Sequence, residues 1–284
     1  DRQTYTYIRT YIYIVMNLLV ARTARSLAKK SRTLPATTKA FSTRGGVSAI
    51  VNGEEGTPSY AVHFENEAGE TISPWHDISL EAEGGAVNFL CEIPRVTKAK
   101  LEVDTKAEGN PIVQDVKKGN LRYYHGPIYW NYGCLPQTWE DPNVKNDDVD
   151  CFGDNDPLDV VEIGSETLAV GSVTAVKPLG VLSMIDDGEL DWKLIAMRVD
   201  DPLAGDVNCV KDIERHLPGT ISGIREWFRW YKVPDGKPIN RFVTAGKRRI
   251  NGGQLRVGHP VINAKAQLLS ARLLDQYHPA APCR

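Results

Sequence analysis

The chain has 284 residues, of which 42% are hydrophobic and 25% charged, values that exclude a wholly disordered, collagen-like or coiled-coil protein. Its longest mostly apolar run, residues 11–21, is shorter than the roughly 20 residues a membrane-spanning helix needs, so no membrane insertion is expected. The net charge of −2 hides three unequal segments: residues 2–53 carry nine Lys/Arg and no acid, residues 54–240 carry 34 Asp/Glu against 17 Lys/Arg, and residues 241–284 carry eight Lys/Arg and one acid, Asp275. The acidic middle segment argues against sequence-independent nucleic-acid binding, which needs a basic face, and suits a site that gathers cations.

Residues 1–15 precede the first methionine, Met16, and repeat Tyr, Thr and Ile without turn chemistry. They read as translated upstream sequence in preference to an edge strand. Residues 16–53 begin with an acid-free stretch rich in Arg, Lys, Ser, Thr and Ala, the composition of an organelle transit peptide. A disordered basic tail is the alternative. A secretory signal fits poorly, because basic residues interrupt the apolar stretch from Arg22 onward. Phe41, Ser42 and Thr43 look like a mitochondrial processing site. The expected destination is therefore an organelle matrix, mitochondrial or plastid stromal, with the cytoplasm as the alternative.

Within residues 54–242, the expected domain, short strands follow one another. Alternation predicts a strand over 60–64, followed by a turn over 66–70; residues 87–93 read as a strand ended by Pro94, and 100–103 as a short strand. Lys100 and Glu102 share one face of the latter, because strand side chains alternate. Strands over 121–124 and 128–132 flank an expected turn at Gly126-Pro127, and 160–163, 171–176, 180–185 and 192–199 continue the series. This spacing predicts a mainly β fold with flanking helices, built on a small barrel. Helices are expected late, over 211–216 and 221–231, the second beginning after Pro218-Gly219-Thr220. From residue 243 the chain turns basic and acid-poor, with one helix-like stretch at 268–279. The five cysteines, Cys91, Cys134, Cys151, Cys209 and Cys283, are widely spread without C-x-x-C and read as reduced thiols.

The sharpest chemical signal is GDNDPLDV, where Asp154, Asp156 and Asp159 lie within six residues. In extended chain Asp154 and Asp156 point the same way, and the bend fixed by Pro157 can bring Asp159 to the same pocket. Three carboxylates so close repel one another, so cations must neutralise them or a pKa must rise. Oxygen donors suit hard divalent ions, Mg²⁺ above all. A calcium loop counted from Asp154 fails, because it would need Gly at position 159 and Glu at 165, where Asp159 and Ser165 stand. A second cluster, DDGELDWK, adds Asp186 and Asp191 with Lys193 beside them. Lys100, Arg122, Tyr132, Tyr231 and Lys232 lie in apolar settings. With the carboxylates they have the composition to hold metal-bound phosphate. The residues therefore point to a multi-Mg²⁺ phosphoryl-transfer site.

GDNDPLDVVEIG resembles the signature of soluble family I inorganic pyrophosphatases and satisfies every position of it. The likeness runs over residues 60–242 through WHDISL, CEIPR, AKLEV, NPIVQDVKKGNLRYY, WNYGCLPQTWEDPN, DDGELDWKLIAM and EWFRWYKVPDGKP. WEDPN and the long spacing are similar to the eukaryotic branch, in its plant and algal organellar form. The resemblance implies an OB-like five-stranded barrel and hydrolysis of pyrophosphate to two phosphates. It implies that Asp154, Asp159 and Asp191 bind one Mg²⁺, that Asp159 bridges to a second, and that Asp186 and Asp191 hold metal arriving with substrate. Asp156 would orient the attacking water and take its proton, Glu92 and Glu102 would organise water, and Lys100, Arg122, Tyr132, Lys193, Tyr231 and Lys232 would grip phosphate. A monomer or homodimer is expected.

Two departures stand out. Many relatives carry a second active-site tyrosine four residues before Tyr132, where this chain has Ile128, and Tyr129 would point to the opposite face of a strand. From residue 243 the chain also leaves the family pattern, which continues into a long amphipathic helix. Three rival functions are another Mg²⁺-dependent phosphohydrolase, a nucleic-acid-binding OB module and an inactive relative acting as a partner protein. The acidic middle segment opposes the second. The complete signature opposes the third.

Overall fold

The computed structural model of the chain describes residues 39–146, 149–243 and 261–262. At its centre Val87–Ile93 pairs with Asn131–Cys134, which pairs with Asp159–Glu162. Asp159–Glu162 runs parallel to Glu189–Arg198, which forms an antiparallel hairpin with Val173–Asp186, and the start of Val173–Asp186 returns to Val87–Ile93. The five strands thus close into a barrel, the expected OB-like architecture.

The apolar pattern has period two, so each strand feeds two cores. Phe89, Cys91, Val160, Val181, Leu194 and Ala196 are buried together in a cluster drawn from the barrel strands and the segments beside them. The alternate residues, among them Leu90, Val161, Leu182, Met184, Ile195 and Met197, join a second cluster with Val62, Phe64 and Ile112 of a neighbouring sheet. That sheet runs in the order Lys39–Ser42, Ser48–Asn52, Ala61–Glu65, Ile112–Gln114, Leu101–Val103. The same cluster takes Ile213 from the helix Val210–His216 and Ile221, Ile224 and Phe228 from the helix Thr220–Trp230. The latter spacing is one stripe of a 3.6-residue helix.

Several expectations are corrected. The folded domain begins before residue 54. Lys39–Ser42 and Ser48–Asn52 are paired strands, and Val47 and Ala49 are buried. Their acid-free composition resembles a leader, but their alternation buries one face. The Phe41–Thr43 stretch lies within or directly after the first strand. Gly126-Pro127 is not a turn but lies inside the strand Tyr123–Ile128, which pairs irregularly with Thr97–Ala99. The segments 171–176 and 180–185 belong to one strand, Val173–Asp186, interrupted by a register shift between Pro178 and Gly180. A bulge there absorbs a proline that cannot donate to the ladder. The second late helix starts from Gly219 at φ 84° with no side-chain cap. Cys209 is disulfide-bonded, whereas Cys91, Cys134 and Cys151 are free thiols, so the reading of five reduced cysteines holds for those three. Val243 completes the strand Arg241–Val243, and Val261–Ile262 pairs with the long strand, so the departing segment still contributes to the barrel sheet. The expectations for residues 1–38 and for the helix-like stretch 268–279 fall outside the described residues.

Candidate active site

Strand periodicity sets the first wall of the site. On Glu189–Arg198, Leu190, Trp192, Leu194 and Ala196 face the barrel cluster, which puts Asp191 and Lys193 on the opposite face with Ile195 and Met197. The parallel register then sets Asp159 beside Lys193, and the antiparallel one sets Asp186 opposite Glu189 at the hairpin end. The Lys193 ammonium, only 2% exposed, pairs with both Asp159 and Asp191. It also lies over the rings of Tyr132 and Phe228, at 5.6 and 5.3 Å. Burial of a charge this deep requires such partners.

The signature loop is pinned to the segment before it. The Glu140 N–H donates to the Asp156 carbonyl at 3.0 Å, and the Asn155 N–H to the Glu140 carbonyl at 2.9 Å. The Leu158 N–H donates to Thr138 Oγ1 at 2.9 Å. The approach is so close that a Cβ on Gly153 would lie 2.4 Å from the Glu140 carbonyl. Asn155 takes φ 73°, which Asn tolerates better than most residues, and this turns the Asp156 N–H onto Asp154 Oδ1 at 3.1 Å.

These constraints crowd carboxylates. Glu140, Asp154 and Asp191 each offer an oxygen within 4.8 Å of the others. Burial, then the charge of Asp159, push the Asp154 carboxyl up to about 7. Asp156 sits at the rim, but dehydration of its carboxyl, Asp159 and Glu102 push it up to about 6. Burial also raises Glu92, Glu140 and Asp191 well above the usual carboxylate range. Glu140 Oε2 and Asp186 Oδ1 are buried without a hydrogen-bond partner. An all-oxygen donor set with two orphaned buried acceptors fits a hard divalent cation such as Mg²⁺.

The facing wall is cationic and phenolic. Lys100 pairs with Glu102 and lies 3.0 Å from Asp115, which also holds Arg122 at 2.8 Å. Tyr231, at the end of its helix, donates to Asp186 at 2.9 Å, and Lys232 pairs with the same carboxylate. The two walls enclose a cavity of about 690 Å³ lined by all thirteen residues singled out from sequence: Glu92, Lys100, Glu102, Arg122, Tyr132, Asp154, Asp156, Asp159, Asp186, Asp191, Lys193, Tyr231 and Lys232.

A family model described as Inorganic pyrophosphatase matches residues 89–250, a span that holds every one of those residues. The chain belongs to the inorganic pyrophosphatase family. It is 56% identical over 189 residues to the chloroplastic soluble inorganic pyrophosphatase 6 of Arabidopsis thaliana, covering 66% of this chain and 63% of that protein's length. It is 54% identical to the chloroplastic soluble inorganic pyrophosphatase 1 of Chlamydomonas reinhardtii, covering 67% of this chain and 68% of that one. Among solved structures, the type I inorganic pyrophosphatase of Toxoplasma gondii superposes with a TM-score of 0.71 at 43% identity, covering 79% of this chain and 95% of that chain. The family match passes Phe242, so the likeness reaches beyond residue 243, where departure was expected.

Three residues in and around this cavity escaped the sequence reading. Asp115 orients Lys100 and Arg122, Glu140 completes the carboxylate group, and Tyr124 lines the cavity. Each stands inside a quoted family block, but only long-range pairing reveals its place. Ile128 is fully buried in the apolar cluster and contributes no group to the cavity.

Proposed function

We propose that the chain hydrolyses inorganic pyrophosphate to two orthophosphates with Mg²⁺. The observation that carries this reading is the cavity itself, with a wall of carboxylates facing a wall of Lys, Arg and Tyr. Asp154, Asp159 and Asp191 would hold one Mg²⁺ with Glu140 beside them, Asp159 would share a second, and Asp186 with Asp191 would hold metal carried by the substrate. Bound Mg²⁺ supplies charge neutralisation and acidifies the attacking water.

The chain's own residues do the rest. Asp156, at the rim with a pKa of about 6, accepts the water's proton as the water oxygen bonds to phosphorus and the bridging P–O bond breaks. The bridging oxygen keeps the electron pair and leaves as phosphate. Glu92, buried and accepting the Val103 N–H at 2.7 Å, and Glu102 orient water. Lys100, Arg122, Tyr132, Tyr231 and Lys232 bind phosphate oxygens, and Lys193 turns its ammonium from the carboxylates to the substrate. No covalent intermediate is needed, because positioning and charge stabilisation suffice for phosphoryl transfer.

The same proposal covers the surroundings. The basic segment before Lys39 acts as an import segment, and the two chloroplastic relatives favour the plastid stroma over the mitochondrial matrix or cytoplasm. The particle is a monomer or homodimer without nucleic acid or membrane insertion. Substrate competition tests the activity. Pyrophosphate should be cleaved orders of magnitude faster than ATP or p-nitrophenyl phosphate, and a preference for either of those would replace this reading by a broader phosphohydrolase.

A further inference from the structure

Three phenols line the cavity, and two are committed. Tyr231 donates to Asp186, and Tyr132 is hydrogen-bonded to Asp159. Tyr124 is different. It is 7% exposed and its ring is wedged edge-on between Trp227 at 5.0 Å and Tyr231 at 5.9 Å. Its hydroxyl makes no hydrogen bond among the described residues, although it lines the cavity. A phenol this buried ordinarily finds a partner for its O–H.

The surroundings say which partner. The charges that act on the Tyr124 hydroxyl are those of Lys100, Asp159, Lys193 and Arg122, so it stands where the cationic wall meets the metal-holding carboxylates. Three of the four are cations, which draw an anion rather than another donor. Burial holds the phenol pKa at about 12, so at neutral pH the group is an uncharged donor. Ile128, at the end of the strand Tyr123–Ile128 that carries Tyr124, is buried in the apolar cluster and brings no polar group to the cavity.

We propose that the Tyr124 hydroxyl donates a hydrogen bond to a phosphate oxygen of the bound substrate. The proposal rests on the phosphate-hydrolysing reading of the same cavity.

The test is Tyr124→Phe in the full chain, which keeps the wedged ring. The Kd for inorganic phosphate in the presence of Mg²⁺, measured by calorimetry, should rise about 10-fold, the scale of one hydrogen bond to a charged group. KM for pyrophosphate should rise with it, while the thermal midpoint stays unchanged. A phosphate Kd within about twofold of the unaltered chain, with the fold intact, would overturn the proposal. Should the variant not fold, 3-fluorotyrosine placed at position 124 gives a fluorine resonance. The proposal requires that resonance to move on phosphate addition, and a stationary one would refute it. Because phosphate binding is read without turnover, failure of the Tyr124 contact and failure of the pyrophosphatase reading give different results.

Discussion

At the scale of single residues the site is a set of carboxylates held against their preference for water. Asp154 and Asp156 titrate near 7 and 6 in the folded chain, against an ordinary value of 3.8. Between about pH 4 and 7 the folded state therefore binds more protons than the unfolded one, and stability falls as pH rises through that window. In chelator the thermal midpoint should be higher at pH 5 than at pH 8, and Mg²⁺ should raise it more at pH 8, where it competes with fewer protons. A chelated midpoint that is flat or climbs from pH 5 to 8 would contradict this. Residue identity was the most legible layer of the sequence. Spacing alone singled out Asp154, Asp156 and Asp159. Asp115 and Glu140 were not legible, because their partners lie across strands and no local period encodes them.

At the scale of elements, convergence comes from register. The parallel pairing that sets Asp159 beside Lys193 joins strands thirty residues apart in sequence, roughly, and could only be inferred from the whole fold. The signature loop depends on Gly153, whose lack of a side chain lets it meet the Glu140 backbone. Gly153→Ala should cost about 1–3 kcal/mol through overpacking. It should also weaken Mg²⁺ binding, because the loop must lift from Glu140. Calorimetric titration with Mg²⁺ checks this, and an unchanged affinity would show that the contact is not needed. The strand Val87–Ile93, a mostly apolar run buried throughout and stopped by Pro94, was readable to the residue. Strands containing Gly and Pro were misjudged, because in Tyr123–Ile128 and Val173–Asp186 tertiary pairing overrides local turn preference.

At the scale of the whole molecule, the barrel was legible from the series of short strands, and the extent of the domain was not. Residues 39–53 have the basic composition of a leader, yet Val47 and Ala49 pack in the main cluster with Val62 and Phe64. A chain starting at Glu54 should be roughly 2–4 kcal/mol less stable than one starting at Lys39, from lost apolar burial and uncovered strand edge, read as a lower midpoint in urea. Equal midpoints would return the boundary to residue 54.

Hydrolysis of pyrophosphate in this cavity, with Asp156 as the proposed proton acceptor, can be tested in a single assay. Phosphate release from pyrophosphate is measured for the full chain and for Asp156→Asn, each with Mg²⁺ and with chelator. The unaltered chain should turn over rapidly with Mg²⁺ and stop in chelator, and the variant should lose about 10²–10⁴-fold in kcat while Mg²⁺ still binds. Near-normal turnover in the variant would remove Asp156 from its role, and no Mg²⁺-dependent release from the folded, unaltered chain would contradict the account as a whole.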